Sequence, residues 1–357
     1  MGVCFMLLMS GLLMVDRYEL GTAVAFEPVP EDAEEFLRSP ADVAFDEKGR
    51  VYLLDIGATS VFVWNEDGSY VGRVGRRGQG PGEFSFRANF GGSQGFISVA
   101  GEQIYVYDGG NKNVLVFGLD LAYVRSFPLQ IANGRMDRFR VMTDGNLFIF
   151  HSSFFADEPY RRVAIYSQAG EERATVRQVA DTTWYYTSEN GQQRVTLIPY
   201  STTLFAEYLP AVNQIVMGDT GTDRFNLLAA DGSPLREVPF KVARREVTEA
   251  DEADYREQEW FKNQQFFKVE FPEMRPYYNQ LIHLGGRGYL MYVQTVNGRR
   301  CDGFWLNREG AVKGRFHRDM GQRGGLYGVG EKIVGVSTDE DGEFSVGFLD
   351  PVLKSGT

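Results

Sequence analysis

The sequence predicts an all-β fold, a six-bladed β-propeller of four-stranded antiparallel blades with one inserted helix. Three observations carry that reading: the chain resembles itself at a regular spacing, its strand-forming runs are short and apolar, and those runs are separated by acidic-residue–glycine turns. The composition agrees with a packed core. Of 357 residues 43% are hydrophobic and 24% charged, with 41 glycines and 2 cysteines, which excludes a disordered, collagenous or disulfide-framed chain. The formal net charge of −11 repels phosphate backbones and anionic lipid heads, so nucleic acid is not an expected partner.

Residues 1–15 form an almost uninterrupted apolar run, from Val3 and Phe5 through Leu12, Leu13 and Val15. At about 15 residues it is shorter than the roughly 20 needed to cross a bilayer and matches the apolar region of a secretory leader. Ala23-Val24-Ala25 has the spacing of a cleavage site, although no basic residue precedes the run. The segment is read as a leader and the location as extracytoplasmic, periplasmic or secreted, with no transmembrane segment. Residues 16–357 then form a single domain. A β-strand over 18–29 is compatible with this only if cleavage falls before Ala25. Cys4 has no apolar segment ahead of it and is not an expected acylation site. With the leader removed, Cys301 stands alone and no intramolecular disulfide can form.

The first unit runs from Pro40-Ala41-Asp42-Val43-Ala44 through Val51-Tyr52-Leu53-Leu54-Asp55 to Val61-Phe62-Val63-Trp64. Its second strand recurs at 51–55, 104–108, 147–151, 215–219, 289–293 and 333–337, so six units over 18–353 leave roughly 56 residues each, the size of a four-stranded blade. Glu66-Asp67-Gly68, Asp144-Gly145, Asp231-Gly232, Glu309-Gly310 and Asp341-Gly342 supply the positive-φ residue a tight hairpin requires. Residues 18–29 are placed as the outer strand of the sixth blade, closing the ring.

The stretch 40–84 resembles an NHL-type repeat. The resemblance lies in Asp42-Val43-Ala44, in Val51-Tyr52-Leu53-Leu54-Asp55, and in the ending Val74-Gly75-Arg76-Arg77-Gly78-Gln79-Gly80-Pro81-Gly82-Glu83-Phe84. The whole chain is similar to bacterial six-bladed propellers of this kind, and the resemblance implies an exported protein. The glycines are read as turn-formers and Phe84 as the anchor of the loop between blades, not as a phosphate cradle.

Two inserts interrupt the period. Residues 180–203 carry Trp184, Tyr185, Tyr186 and Tyr200 with little repeat character and are expected to lie as a long connection across one face. Residues 249–267 are expected to be helical, because Thr248-Glu249-Ala250-Asp251 forms a capping-box start and acids crowd the first turn. Its aromatics, Trp260 among them, exceed one solvated stripe, so the helix should pack on the propeller as a lid or a cover.

Loops converge at the mouth of a propeller channel. Asp55, Asp108, His151 and Asp219 occupy equivalent second-strand ends, and Arg76, Arg77, Arg87 and Arg138 lie on or near connections between blades. Asp55, Asp108, His151, Asp219, Arg76, Arg77 and Arg138 are the candidate ligand-binding residues. Each aspartate could equally cap its own loop as an Asx turn. Trp184, Tyr185, Tyr186 and Trp260 are the candidate partner-binding patch.

Catalytic signals are sparse. His151, His283 and His317 lack HxH or HxxxH spacing, so zinc would need them gathered from separate blades, as the fold-level resemblance to amidating lyases implies. Asp339-Glu340-Asp341-Gly342 reads first as a hairpin tip and second as a hard-cation site, calcium being what a lactonase-type propeller would hold. Gly91-Gly92-Ser93-Gln94-Gly95 matches a nucleophile-elbow pattern but is followed by strands, where that motif has no meaning. No metal site or cofactor is assigned. The reading is a monomeric module that binds a protein or a small polar ligand such as a saccharide, with a calcium- or zinc-assisted lactonase- or lyase-like enzyme as the alternative.

Overall fold

The structure, a computed structural model, describes residues 16–30, 36–86, 94–131, 134–153, 158–189, 192–262, 267–294, 300–321, 324–329 and 331–353. Strand β1 (Asp16–Ala25) precedes the first blade, which comprises β2 (Pro40–Phe45), β3 (Val51–Asp55), β4 (Ser60–Trp64) and β5 (Tyr70–Val74). Blade two is β6 (Gly95–Ala100), β7 (Gln103–Asp108), β8 (Asn113–Gly118) and β9 (Tyr123–Pro128). Blade three is β10 (Gly134–Val141), β11 (Leu147–Ser153), β12 (Tyr160–Tyr166) and β13 (Glu172–Ala180). A hairpin, β14 (Trp184–Glu189) and β15 (Gln192–Leu197), leads to blade four, β16 (Leu204–Leu209), β17 (Gln214–Asp219), β18 (Arg224–Ala229) and β19 (Pro234–Pro239). Helices α1 (Glu249–Arg256) and α2 (Glu259–Lys262) and strand β20 (Phe267–Val269) precede blade five, β21 (Gln280–His283), β22 (Tyr289–Gln294), β23 (Arg300–Leu306) and β24 (Val312–Asp319). The last blade is β25 (Gly325–Val329), β26 (Lys332–Thr338) and β27 (Phe344–Leu353), completed by β1.

Every blade is antiparallel in strand order, and the expected second strands are β3, β7, β11, β17, β22 and β26. The reason lies in burial. Strands β3 and β4 are buried along their whole length, whereas the outer strand β9 is mostly exposed. A strand covered on both faces by neighbouring blades reads as a continuous apolar run instead of an alternating one. Among the described residues the core accordingly divides into six clusters, each shared by two adjacent blades. All five anticipated turn glycines, Gly68, Gly145, Gly232, Gly310 and Gly342, have φ between 83° and 89°.

Ring closure follows the anticipated route and extends it. Strand β1 pairs antiparallel with β27, from Tyr18 opposite Leu353 to Ala25 opposite Gly347. Its first residues, Asp16 to Tyr18, also run parallel to Gly314 to Phe316 of β24, so blades five and six form one eight-stranded sheet. The junction between blades one and two is fixed by Phe84, fully buried, whose N–H donates to the Arg76 carbonyl at 2.8 Å. Gly75 lies at φ 84°, and a Cβ there would sit 2.0 Å from the Phe84 ring, so only glycine fits.

The inserts differ from expectation. Residues 180–203 form the β14–β15 hairpin instead of an irregular connection, and the helix expected over 249–267 ends at Arg256. The capping box is present, with Thr248 and Asp251 bonded reciprocally. Beyond a second short helix, Phe267 to Val269 pair in parallel with Val195 to Leu197, giving a small three-stranded sheet. That pairing, distant in sequence, overrides local helix propensity. Within a blade the first strand starts, and the second ends, at the face where connections between blades emerge; both inserts therefore stand on that face.

Candidate functional site

The first strands of neighbouring blades meet around the axis, β2 beside β6, β6 beside β10 and β25 beside β2 among them. Strand β10 bulges between Met136 and Arg138, and Arg138 and Arg140, two apart, share the face turned toward the axis. Arg140 is buried. Its guanidinium grips Asp42 through both carboxylate oxygens at 2.6 and 3.1 Å, donates to the carbonyls of Ile97 and Phe139, and meets Glu207 at 3.1 Å. Burial alone would lower the Arg140 pKa, but the charges of Asp42 and Glu207 outweigh it and hold the group above its ordinary value. Arg138 reaches the other oxygen of Glu207 at 3.1 Å and donates to Gln280 Oε1 at 3.0 Å. Two arginines thus face two carboxylates, and the cluster carries no net charge.

Beside this network lies a cavity of about 200 Å³, lined by Asp42, Arg138, Glu207, Gln280, Gln294 and Tyr327 together with glycine backbone at the start of β25. Burial, reinforced by the Asp42 charge, raises the Tyr327 pKa, so its hydroxyl keeps its proton. Among the described residues neither that hydroxyl nor the Gln280 side-chain amide nitrogen has a hydrogen-bond partner. The lining therefore offers unspent donors in a polar, charge-balanced recess.

Of the sequence candidates, Arg138 is at this cavity. Asp55 and Asp108 are fully buried in loop structure: Asp55 accepts from the backbone of Arg38, Ser39 and Ala58, and Asp108 from that of Ser85, Phe86 and Gly110. Burial raises the Asp55 pKa even against those N–H donors. Asp219, exposed, accepts from Gly221 N–H at 2.8 Å. His151 is 2% exposed and neither ring nitrogen has a partner; burial first, and then the charge of Arg162, push its pKa down to about 4. Asp55, Asp108 and Asp219 tie loops and His151 fills its blade, and none of the four is among the residues that line this cavity. Arg76 pairs with Glu83 at 2.8 Å, and Arg77 is exposed on the same loop. Arg87 and the residues Gly91 to Ser93 lie outside the described residues.

Of the candidate partner-binding aromatics, Trp184 is buried at 6% exposed, contrary to an exposed position for that ring. Tyr186 is exposed and packs against the Trp184 ring at 5.1 Å, while the Tyr185 hydroxyl donates to Glu270 at 2.7 Å. The Trp260 side chain is outside the described residues. His283 on β21 stacks near Tyr289, and His317 on β24 meets Asp302 at 2.7 Å, so the histidines stay apart. Asp339 accepts from Glu343 N–H as a hairpin tip. Among the described residues no three His, Cys, Asp or Glu side chains gather closely enough to hold a metal ion.

Sequence reasoning missed Asp42, Arg140, Glu207, Gln280, Gln294 and Tyr327. A usable signal existed: charged residues inside otherwise apolar first strands, as in Leu204-Phe205-Ala206-Glu207-Tyr208-Leu209.

The DUF5128 family model, described as a 6-bladed beta-propeller, matches residues 32–208. No curated protein matches the sequence. Among solved structures, a member of the DUF4221 family from Bacteroides vulgatus is similar at a TM-score of 0.54 and 12% identity, covering 95% of this chain and 99% of that one. A protein of Bacteroides fragilis described as exported is similar at 0.53 and 11%, covering 95% and 96%. At such identities the likeness is one of fold. Blade order, register and these matches together make the chain a six-bladed β-propeller.

Proposed function

We propose that this chain is an exported, monomeric propeller, one domain over residues 16–357, that binds a small, uncharged, polar ligand of the saccharide type at the mouth of its central channel. The observation that carries the reading is the 200 Å³ recess with balanced charges and unspent Tyr327 and Gln280 donors. A net charge in the lining would select an ion, whereas hydroxyl and amide groups beside a neutralised Arg–Glu pair match a hydroxylated solute. The apolar leader-like run at 1–15 and the NHL-like ending of the first unit support export, and among the described residues no helix is long and apolar enough to cross a membrane. Thermal-shift screening of the purified chain against neutral mono- and disaccharides tests the reading. At least one should raise Tm in the wild type and lose that effect in Gln280→Ala; equal shifts in both proteins would remove the channel as the site.

A further inference from the structure

A second site is written into the cleft between blade five and the segment that connects it to blade four. The backbone of 245–247 pairs with 273–275, and this ladder carries Arg244, Arg245 and Arg275 against Asp302 and Phe304 of β23. Arg315 of β24 lies over the Phe304 ring at 5.2 Å and Arg245 over the same ring at 5.9 Å, so two guanidinium groups share one aromatic.

The charges there do not balance. Arg275 is matched by Asp251, and Arg244 spends its donors on the carbonyls of Met274 and Arg275. Arg245, only 37% exposed along its side chain, has one carboxylate, Asp302, at 3.6 Å, and that carboxylate is shared with His317. The exposed side chain of Arg315 has no ion pair or hydrogen bond among the described residues. Burial lowers the Arg245 pKa, and the nearby charges of Arg315 and Arg275 add to the effect of burial while Asp302 opposes it. A half-buried guanidinium crowded by like charge is costly unless an anion joins it, and here the local excess of arginine, not the chain's net charge, sets the field.

We infer that this cleft is an oxyanion-binding site, in which Arg245 and Arg315 take a carboxylate, sulfate or phosphate group of the ligand across the Phe304 edge. The enclosed notch measures about 20 Å³, room for one oxygen, so the rest of the ligand faces solvent. Guanidinium forks suit such groups because two parallel N–H donors meet two oxygens. The site stands apart from the channel, whose own arginines are already neutralised by Asp42 and Glu207.

The test is titration of the full chain with sodium sulfate, sodium phosphate and sodium acetate in separate arms, at constant ionic strength set by chloride, reading Tm and calorimetric heat. The arm with the tightest saturable binding identifies a tetrahedral or a planar group. Arg245→Gln with Arg315→Gln should weaken binding by about tenfold or more, and Asp302→Asn, which removes the competing carboxylate, should strengthen it. Arg138→Gln should leave it unchanged, which keeps this outcome separate from that of the channel. Concentrations of a few millimolar avoid general salting effects. No saturable binding in any arm, or equal binding by the wild type and the double variant, would overturn the proposal.

Discussion

At the scale of single residues, two buried groups set how the protein responds to pH and to substitution. His151 is neutral in the fold because burial and the Arg162 charge hold its pKa near 4, whereas an unfolded imidazole titrates near 6.5. The unfolded chain therefore binds the extra proton first as pH falls. Stability is complete above about pH 6.5 and declines by about 1.4 kcal/mol per pH unit until pH 4, below which this group costs nothing more. Urea unfolding of the wild type and His151→Phe across pH 4–8 checks this, because the variant should lack that increment of slope. Arg140 is the other group. Arg140→Met leaves Asp42 buried without its partner and Glu207 without one of its two, and should lower unfolding free energy by about 3–5 kcal/mol, measured by urea midpoint and slope. A loss below 1 kcal/mol would mean that the axial cluster is not the clamp its geometry indicates.

Among elements, β1 is where two distant parts of the chain are held. Leu20 is fully buried in the cluster between blades five and six, while Val352 across the ladder is 54% exposed. Leu20→Ala should cost about 2–5 kcal/mol and Val352→Ala less than about 0.5, a contrast readable from paired denaturation curves. The blades themselves were legible in the sequence because short apolar second strands recur at a regular spacing and acidic-residue–glycine turns separate strands within the units, signals confined to neighbouring residues. The helix over 249–267 was legible only at its start. The capping box is local chemistry, but the pairing of Phe267 to Val269 with Val195 to Leu197 joins segments that no short window contains. The 180–203 hairpin, by contrast, carries a local turn signal, Asn190-Gly191 between Glu189 and Gln192, that the reading of the repeat passed over, while its third strand comes from the other insert.

For the whole molecule, the ring brings together what the sequence keeps apart. Asp42 and Arg140 lie 98 residues apart and Arg138 and Gln280 lie 142 apart, yet each pair meets at the axis through side-chain hydrogen bonds. A six-fold period therefore discloses the architecture, while the channel constellation emerges only when first strands from different blades face one another. The same closure separates a charge-balanced recess at the axis from an arginine-rich cleft between blade five and the segment that connects it to blade four. Binding at the recess is read by calorimetric titration of a saccharide selected on the wild type, repeated with Tyr327→Phe. The substitution removes one oxygen from the lining, so the account predicts an unchanged Tm without ligand and affinity weaker by about tenfold, the value of one lost hydrogen bond. Identical affinity in the two proteins would contradict it.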